Sequence, residues 1–303
     1  RRFLGDHDGR RICIAANQRW HDRGISHANI LQPSNLETSV DNRQRVGSHL
    51  ARADRVINLT PAELEHEHDE GCGCSTDTVC CGPTDLDHAM ILYSDGQLSG
   101  LPVESVAASA GCGNPTALAG LKPGEKVLDL GSGGGIDCFL AAQQVGEAGQ
   151  VTGLDMTPSM LELARENKSK LGIENVEFVQ GEMENMPIPN SSVDVIISNC
   201  VVCLSPDKDA VFKESFRVLS PGGRIHLSDV MALTDDGPSV SSSDDWVSCT
   251  AGAEHMDVYR DRLIRAGFTD IEFTSEQIDY MKDRAERPST NTAGYKIVAH
   301  KPT

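Results

Sequence analysis

The run VLDLGSGGG at residues 127–135, with Asp155 closing the next hydrophobic run, carries the strongest chemical signal in the chain. Glycines at 131 and 133–135 let a chain turn sharply and bring its backbone against a ligand that a Cβ would hold off. A carboxylate at the end of the neighbouring strand can accept hydrogen bonds from both hydroxyls of a ribose, so the pair suits a nucleoside-bearing cofactor. On this reading Asp129, Gly131, Ser132 and Gly133 meet one end of the cofactor, and Asp155 with Met156 meets its ribose. Glu182 or Met183, after the third strand, flanks the base, and Asn199 closes the fourth strand at the same edge. The glycine spacing differs from the G-x-G-x-x-G dinucleotide fingerprint, and a glycine motif alone is weak evidence for any one cofactor. Taken singly, each glycine is compatible with a plain tight turn.

Three cysteines fall around that turn: Cys112 in GCGNP, Cys200 in SNCVVCLSPDK and Cys249 in WVSCTAGA. The first precedes the first strand, the second ends the fourth, and the third follows the fifth, in a segment able to fold over the same edge. Three convergent thiols form a soft ligand set, whose natural guest is a thiophilic, three-coordinate centre. Trivalent arsenic fits, because it binds three thiolates in a pyramid and keeps a lone pair. Zinc would take a fourth ligand in a closed tetrahedral site. The low aromatic content, 4%, leaves no platform for a nucleobase substrate, and no Asn-Pro-Pro-Tyr amide clamp occurs.

Other thiols and imidazoles have plainer readings. Cys138 is expected in the core, and Cys13 carries no signal. Cys203 is structural or, through its C-x-x-C spacing with Cys200, one half of a redox pair. His66, His68, Cys72, Cys74, Cys80 and Cys81 form a second constellation that could chelate a soft metal or capture arsenite and pass it inward. It lacks the two separated pairs of a zinc finger, and a solvated acidic loop that happens to carry thiols is the simpler account. His226 and His255 stand alone, and an arsenic lone pair needs no base to be methylated.

The chain has 303 residues, 27 Lys plus Arg against 45 acidic residues, and a formal charge of −18. That balance disfavours nucleic acid and anionic membrane surfaces. No apolar run approaches the roughly 18 residues of a membrane span, and no signal-peptide pattern follows Arg1 and Arg2. The Arg-rich start faintly suggests a transit peptide, which Asp6, Asp8 and Asp22 weaken, and the missing initiator Met points to a fragment or processed chain. A cytoplasmic monomer is expected. Ten cysteines are too few for a disulfide scaffold, so in a reducing compartment they are core residues, soft-metal ligands or redox thiols.

Regular alternation of strand and helix positions these groups. Strands are expected at 126–130, 151–155, 176–179, 193–198 and 224–228, with late strands at 271–273 and 296–300. Helices are expected at 102–110, 136–145, 158–170 (capped by Thr157, with Pro158 in its first turn), 207–219 (stopped by Ser220-Pro221-Gly222-Gly223) and 258–266. Such alternation implies an α/β fold, a mostly parallel sheet with helices on both faces. Four parts are expected: an N-terminal extension, 1–60, largely disordered or peripheral; a Cys-rich segment, 61–114; a cofactor-binding domain, 115–230; and a substrate-binding C-terminal part, 231–303.

The glycine turn with Asp129 and Asp155 at strand ends resembles the class I S-adenosylmethionine-dependent methyltransferases over about residues 115–230. Further, GCGNP, DLGSGGGIDC, GLDMT, SNCV with LSPDK, RVLSPGGR, SDV and WVSCTAGA together resemble the arsenite methyltransferases, from about Cys80 to Thr274. That resemblance implies a Rossmann-like sheet with a small C-terminal arsenic-binding extension, and S-adenosylmethionine as methyl donor. It implies arsenite and methylarsenite as substrates, methylated in sequence, with a thiol reductant such as glutathione or thioredoxin. It further implies that Cys200 and Cys249 hold arsenic, that Cys112 completes the site, and that Cys80 or Cys81 serves a disulfide relay. Cys203 departs from the pattern, where an apolar or amide residue is usual. The rival readings are a methyltransferase of a small organic metabolite and a thiol-rich metal-binding protein.

Overall fold

A computed structural model describes residues 3–5, 11–13, 92–108, 113–115, 119–234, 252–275 and 291–303. Backbone contacts divide the chain into two units, 1–44 and 45–303. In the first, β1 (Phe3–Gly5) pairs antiparallel with β2 (Arg11–Cys13). The second opens with two short helices, α1 (Asp95–Leu98) and α2 (Val103–Ala107), followed by β3 (Lys126–Leu130). Then come α3 (Ile136–Val145), β4 (Gln150–Asp155), α4 (Pro158–Leu171), β5 (Val176–Gln180) and β6 (Val193–Asn199). A 3-10 turn, Val202–Leu204, leads to α5 (Lys208–Val218) and β7 (Leu219–Ala232). The end comprises β8 (Glu254–His255), α6 (Met256–Ala266), β9 (Thr269–Ser275) and β10 (Thr292–His300).

Seven strands run in the order β5-β4-β3-β6-β7-β10-β9, with β8 joined to β7. From β5 to β7 all pairing is parallel; β10 is antiparallel to both its neighbours. The chain winds outward from β3 to β5, then returns to lay β6 on the other side of β3. That reversal opens a crevice at the carboxyl ends of β3 and β6, the usual ligand position in open α/β sheets.

Alternation along each strand divides the core between two faces. Val127, Val195 and Ile197 pack on one face with Phe139, Ala142 and Val145 of α3 and Leu161 of α4. Leu128, Leu130 and Ile196 pack on the other with Phe212 of α5 and with Tyr259 and Leu263 of α6. Phe212 and Tyr259 meet edge to face, ring centroids 5.0 Å apart. Among the described residues no helix is long and apolar enough to cross a membrane.

Two local expectations need correction. Thr157 occupies the N-cap of α4, yet its side chain makes no capping hydrogen bond; its own amide donates to Asp155 Oδ1 at 2.8 Å, which orders the turn before the helix. The Ser220–Gly223 turn does not separate helix from strand, because β7 starts at Leu219. Leu219 pairs with Val193 and Arg224 with Val195, so the Pro-Gly-Gly run loops out as a register shift inside one long strand.

His226 lies within β7 with its Nδ1 buried and without a hydrogen-bond partner. Burial, and after it the charge of Arg224, lower the imidazole to about 4. The unfolded chain therefore binds a proton below pH 6.5 that the folded chain refuses, and stability falls as pH drops from 6.5 towards 4. Replacing His226 by Leu should remove about 2 kcal/mol of the stability difference between pH 7 and pH 5. Urea unfolding of both proteins at the two pH values measures it; identical differences would mean that His226 protonates normally in the fold.

Candidate active site

The glycine turn leaves β3 beside the end of β4. Gly131 and Ser132 both donate their amides to the Leu154 carbonyl, at 2.8 and 3.1 Å, and Gly133 donates to Asp155 Oδ2 at 2.9 Å. Each Asp155 oxygen thus accepts one backbone amide and retains lone-pair capacity for another donor. Gly131 sits at φ +72°, and a Cβ there would lie 2.5 Å from the Val201 side chain, so the residue is dictated both by its dihedral and by the neighbouring turn. Gly133 differs: a Cβ there would point into open space. Ser132 Oγ is buried and has no partner. From beneath, buried Asn167 donates to the Gly134 carbonyl at 3.2 Å. A cradle with a spare hydroxyl, a carboxylate and half-exposed Met156 at its rim fits a nucleoside-bearing cofactor.

Asp129 lies below this cradle rather than in it, 2% exposed, and accepts a hydrogen bond from the Cys138 thiol at 3.2 Å. Burial, and next the charge of Asp137, raise its carboxyl well above the usual range. Asp137 is raised chiefly by burial, with Asn199 and Tyr93 acting against that. The pair therefore resists full ionisation. Cys138, raised by burial first and by Asp129 next, stays a thiol.

Cys200 follows β6 directly, at φ +58°. A non-glycine residue in the left-handed region is strained and persists where surrounding contacts over-determine it. Here the contacts are a Cys200 amide bond to the Ser228 carbonyl at 2.8 Å and the paired strands β6 and β7. One residue earlier, the Asn199 carboxamide clamps a distant loop. Its Oδ1 accepts from the Gly113 amide at 3.1 Å and its Nδ2 donates to the Gly113 carbonyl at 2.7 Å. The same Nδ2 reaches Tyr93 Oη at 3.0 Å and Asp137 Oδ2 at 3.3 Å, while the Tyr93 hydroxyl donates to Asp137 at 3.0 Å. Asn199, expected to touch the cofactor, is occupied in holding Gly113.

Behind Cys200 lies a second cluster: the sulfurs of Cys200 and Cys203 and a carboxylate oxygen of Asp229 are buried within 4.8 Å of one another. Asp229 accepts from Tyr259 Oη at 3.3 Å and from the Val230 amide at 3.0 Å. Burial raises it to about 6, opposed first by the hydrogen bond from Cys203. Gly252 packs against this turn so tightly that a Cβ on it would come 1.8 Å from the Cys203 carbonyl oxygen.

Of the expected site residues, the fold thus gathers Gly131, Ser132, Gly133, Asp155 and Met156 at one cradle, with Asn199 and Cys200 at its edge. Glu182 lies beyond β5, bridged to Asn185, and Met183 packs against the core. Cys80, Cys81, Cys112 and Cys249 fall outside the described residues, as do His66, His68, Cys72 and Cys74. Tyr93, Asp137, Asp229 and Gly252 were not singled out from the sequence. Asp229 had a signal, a carboxylate inside the apolar strand IHLSDVMA; the others owe their importance to partners 44 or more residues away in the chain.

The sequence profile of the methyltransferase domain matches residues 121–286. An arsenite methyltransferase of Halobacterium salinarum is 44% identical over 251 residues, 82% of this chain and 64% of that protein. One from Aquipseudomonas alcaligenes is 38% identical over 69% of this chain and 61% of that protein. The chain accordingly spans a little under two thirds of the length of these curated relatives. A crystal structure of CrArsM, an arsenic(III) S-adenosylmethionine methyltransferase from Chlamydomonas reinhardtii, superposes with a TM-score of 0.55 at 36% identity, over 74% of this chain and 75% of that one.

Replacing Asn199 with Ala leaves the buried polar atoms of Gly113 and Tyr93 without this partner, at a cost of roughly 1–3 kcal/mol. Amide exchange at Gly113 should accelerate at least tenfold while strands β3 and β4 keep their protection. Unchanged exchange at Gly113 would show that the clamp does not hold the loop.

Proposed function

This chain belongs to the methyltransferase-domain family and groups within it with the arsenite methyltransferases; on that premise we propose that it methylates trivalent arsenic held by cysteine thiolates. The observation that carries the reading is the pair of contacts on the Cys200 turn. Gly113, next in sequence after Cys112, is clamped by Asn199, next before Cys200. Gly252, three residues after Cys249, packs on Cys203, three residues after Cys200. Gly113 and Gly252, close in sequence to Cys112 and Cys249, both contact the turn that carries Cys200, beside the glycine cradle, which supports assigning the three ligands to that edge.

In the proposed reaction, S-adenosylmethionine supplies an electrophilic methyl group on a positively charged sulfur. Asp155 holds the ribose, Gly131 to Gly133 admit the backbone-facing part of the donor, and the Ser132 hydroxyl supplies an additional polar contact. Met156 and the region of Glu182 and Met183 border the base. Cys112, Cys200 and Cys249 exchange onto arsenite as thiolates, fix its pyramid and aim its lone pair at the methyl. Positioning is the protein's main contribution, since a lone pair requires no deprotonation. Transfer oxidises the arsenic, and two electrons from thiols return it to the trivalent state; Cys80 or Cys81 and then glutathione or thioredoxin are the proposed source. Such thiol traffic suits a reducing compartment, the cytoplasm.

Two variants test the assignment. Cys200→Ser, incubated with arsenite, methyl donor and glutathione, should yield no methylated arsenic by mass spectrometry; undiminished product would remove Cys200 from the mechanism. Gly252→Ala forces the segment after Cys249 away from the turn, because the new Cβ has no space. Arsenite binding, followed by intrinsic fluorescence, should weaken roughly tenfold, the effect of about 1.4 kcal/mol, with donor binding unaffected. Equal loss of both would indicate general unfolding rather than a displaced ligand.

A further inference from the structure

Asp137 is a buried carboxyl to which arsenic binding gives no task. It stands in the first turn of α3, two residues after Gly135, whose φ of +93° ends the glycine cradle and caps the helix. It is 5% exposed and accepts from the Tyr93 hydroxyl, 3.0 Å from either oxygen, and from Asn199 Nδ2 at 3.3 Å. Both donors are neutral. The titratable groups around it are Asp129 of β3, Cys138 beside it on α3 and, acting on Asp129, Asp155 at the end of β4. Among the described residues no basic side chain forms an ion pair with any of these three carboxyls. Ser132 Oγ, buried and without a partner in the same cradle, marks the space as one that a polar ligand completes.

Asn199 Nδ2 has two hydrogens and three acceptors: the Gly113 carbonyl at 2.7 Å, Tyr93 Oη at 3.0 Å and Asp137 Oδ2 at 3.3 Å. One hydrogen serves Gly113, and the other is divided between Tyr93 and Asp137. A charged Asp137 therefore holds Nδ2 on its own side, which leaves Oδ1 facing the Gly113 amide, 3.1 Å away. The bond acts in both directions. Burial raises Asp137 to about 6, and the Asn199 bond is the first influence opposing that rise. With the carboxamide withdrawn the carboxyl titrates higher, so closing the clamp makes its proton easier to shed. By linkage the clamp has its full strength where Asp137 is charged in both states, and weakens as pH falls from neutral through about 6.

We propose that charged Asp137 is a positioning residue for the Gly113 segment, acting through Asn199, and that the positive charge of the methyl donor reinforces it where the neutral product does not. The coupling rests on the glycine cradle holding S-adenosylmethionine; arsenic has no part in it. Donor and product differ by one methyl group and by the positive charge it leaves on sulfur. A positive charge beside a buried carboxyl favours its ionised form, and a neutral thioether does not. The two ligands thus favour different states of Asp137, which is the differential interaction a population shift requires. Reciprocally, a closed clamp favours donor over product by the same factor. Loss of the methyl removes the charge, so the step that makes the product also withdraws support from the Gly113 clamp.

Residue-resolved amide exchange on the full chain, without arsenic, tests both parts. Rates at Gly113 are divided by those of an unstructured glycine at the same pH, and β3 and β4 serve as internal controls. In the unliganded wild type, protection of Gly113 should fall as pH drops from 8 to 6, while β3 and β4 hold theirs. Asp137→Asn, which keeps the shape and removes the charge, should give a flat profile. At pH 6, saturating S-adenosylmethionine should slow Gly113 exchange about fivefold relative to saturating S-adenosylhomocysteine, the lower end of common coupling strengths. That difference should vanish in Asp137→Asn. A flat wild-type profile, or equal protection by the two ligands, overturns the proposal, and neither result depends on a variant that folds. The same pH step or ligand difference in a folded Asp137→Asn variant overturns it too, because the charge would then act elsewhere. Arsenite methylation is scored from methylated product with arsenic present, so the two readings fail separately.

Discussion

Everything at the site depends on the parallel pairing of β3 with β6. That register sets Leu130 beside Ser198, so the two strands end together and their following turns share a single edge. The Ser198 hydroxyl reinforces the alignment with a bond to the Leu130 carbonyl at 3.1 Å. One turn is the glycine cradle and the other presents Cys200. Their proximity explains why residue 131 tolerates no side chain: Val201 already fills the volume a Cβ would enter. A one-residue slip of β6 would reverse the facing of Val195, Ile196 and Ile197, exchanging the two cores, so burial on both faces guards the register.

Two clamps then attach peripheral segments to that edge. Asn199 reaches the backbone of Gly113, 86 residues away, and Gly252 closes on the Cys203 carbonyl. Both act through backbone rather than through particular side chains of the captured segments. Such contacts fix the path of the chain at Gly113 and at Gly252. The strained dihedral of Cys200 belongs to the same arrangement, since its amide is tied to β7 and its neighbour is tied to Gly113.

Much of this was legible in the sequence because its cause is local. The period-two runs of β3, β4 and β6, the Pro at the start of α4 and Gly267 after α6 mark their elements to within a residue or two. The cradle was legible for the same reason, its glycines and Asp155 lying within 25 residues of one another. The start of β7 was not, because Ser-Pro-Gly-Gly is an equally good signal for a turn and for a bulge, and only the partner strand decides between them. Thr157 has the residue type of a cap, but its side chain makes no such bond, and the turn before the helix is held by Asp155 accepting the Thr157 amide. The roles of Tyr93, Asp137 and Gly252 could not be read in advance, because each depends on a contact made only after the sheet has closed.

The placement of carboxyl groups follows one electrostatic logic. Asp155, at the rim, accepts the backbone amides of Gly133 and Thr157. Asp129, Asp137 and Asp229 lie deeper, and burial raises all three. Burial disfavours the charged form of each, and like charge between Asp129 and Asp137 adds to it. An opposite charge brought beside such a group would favour its ionised form and lower it again. Acidic groups are thus graded along the edge: Asp155 at the rim is held by backbone amides, whereas Asp129, Asp137 and Asp229 behind it are buried and raised.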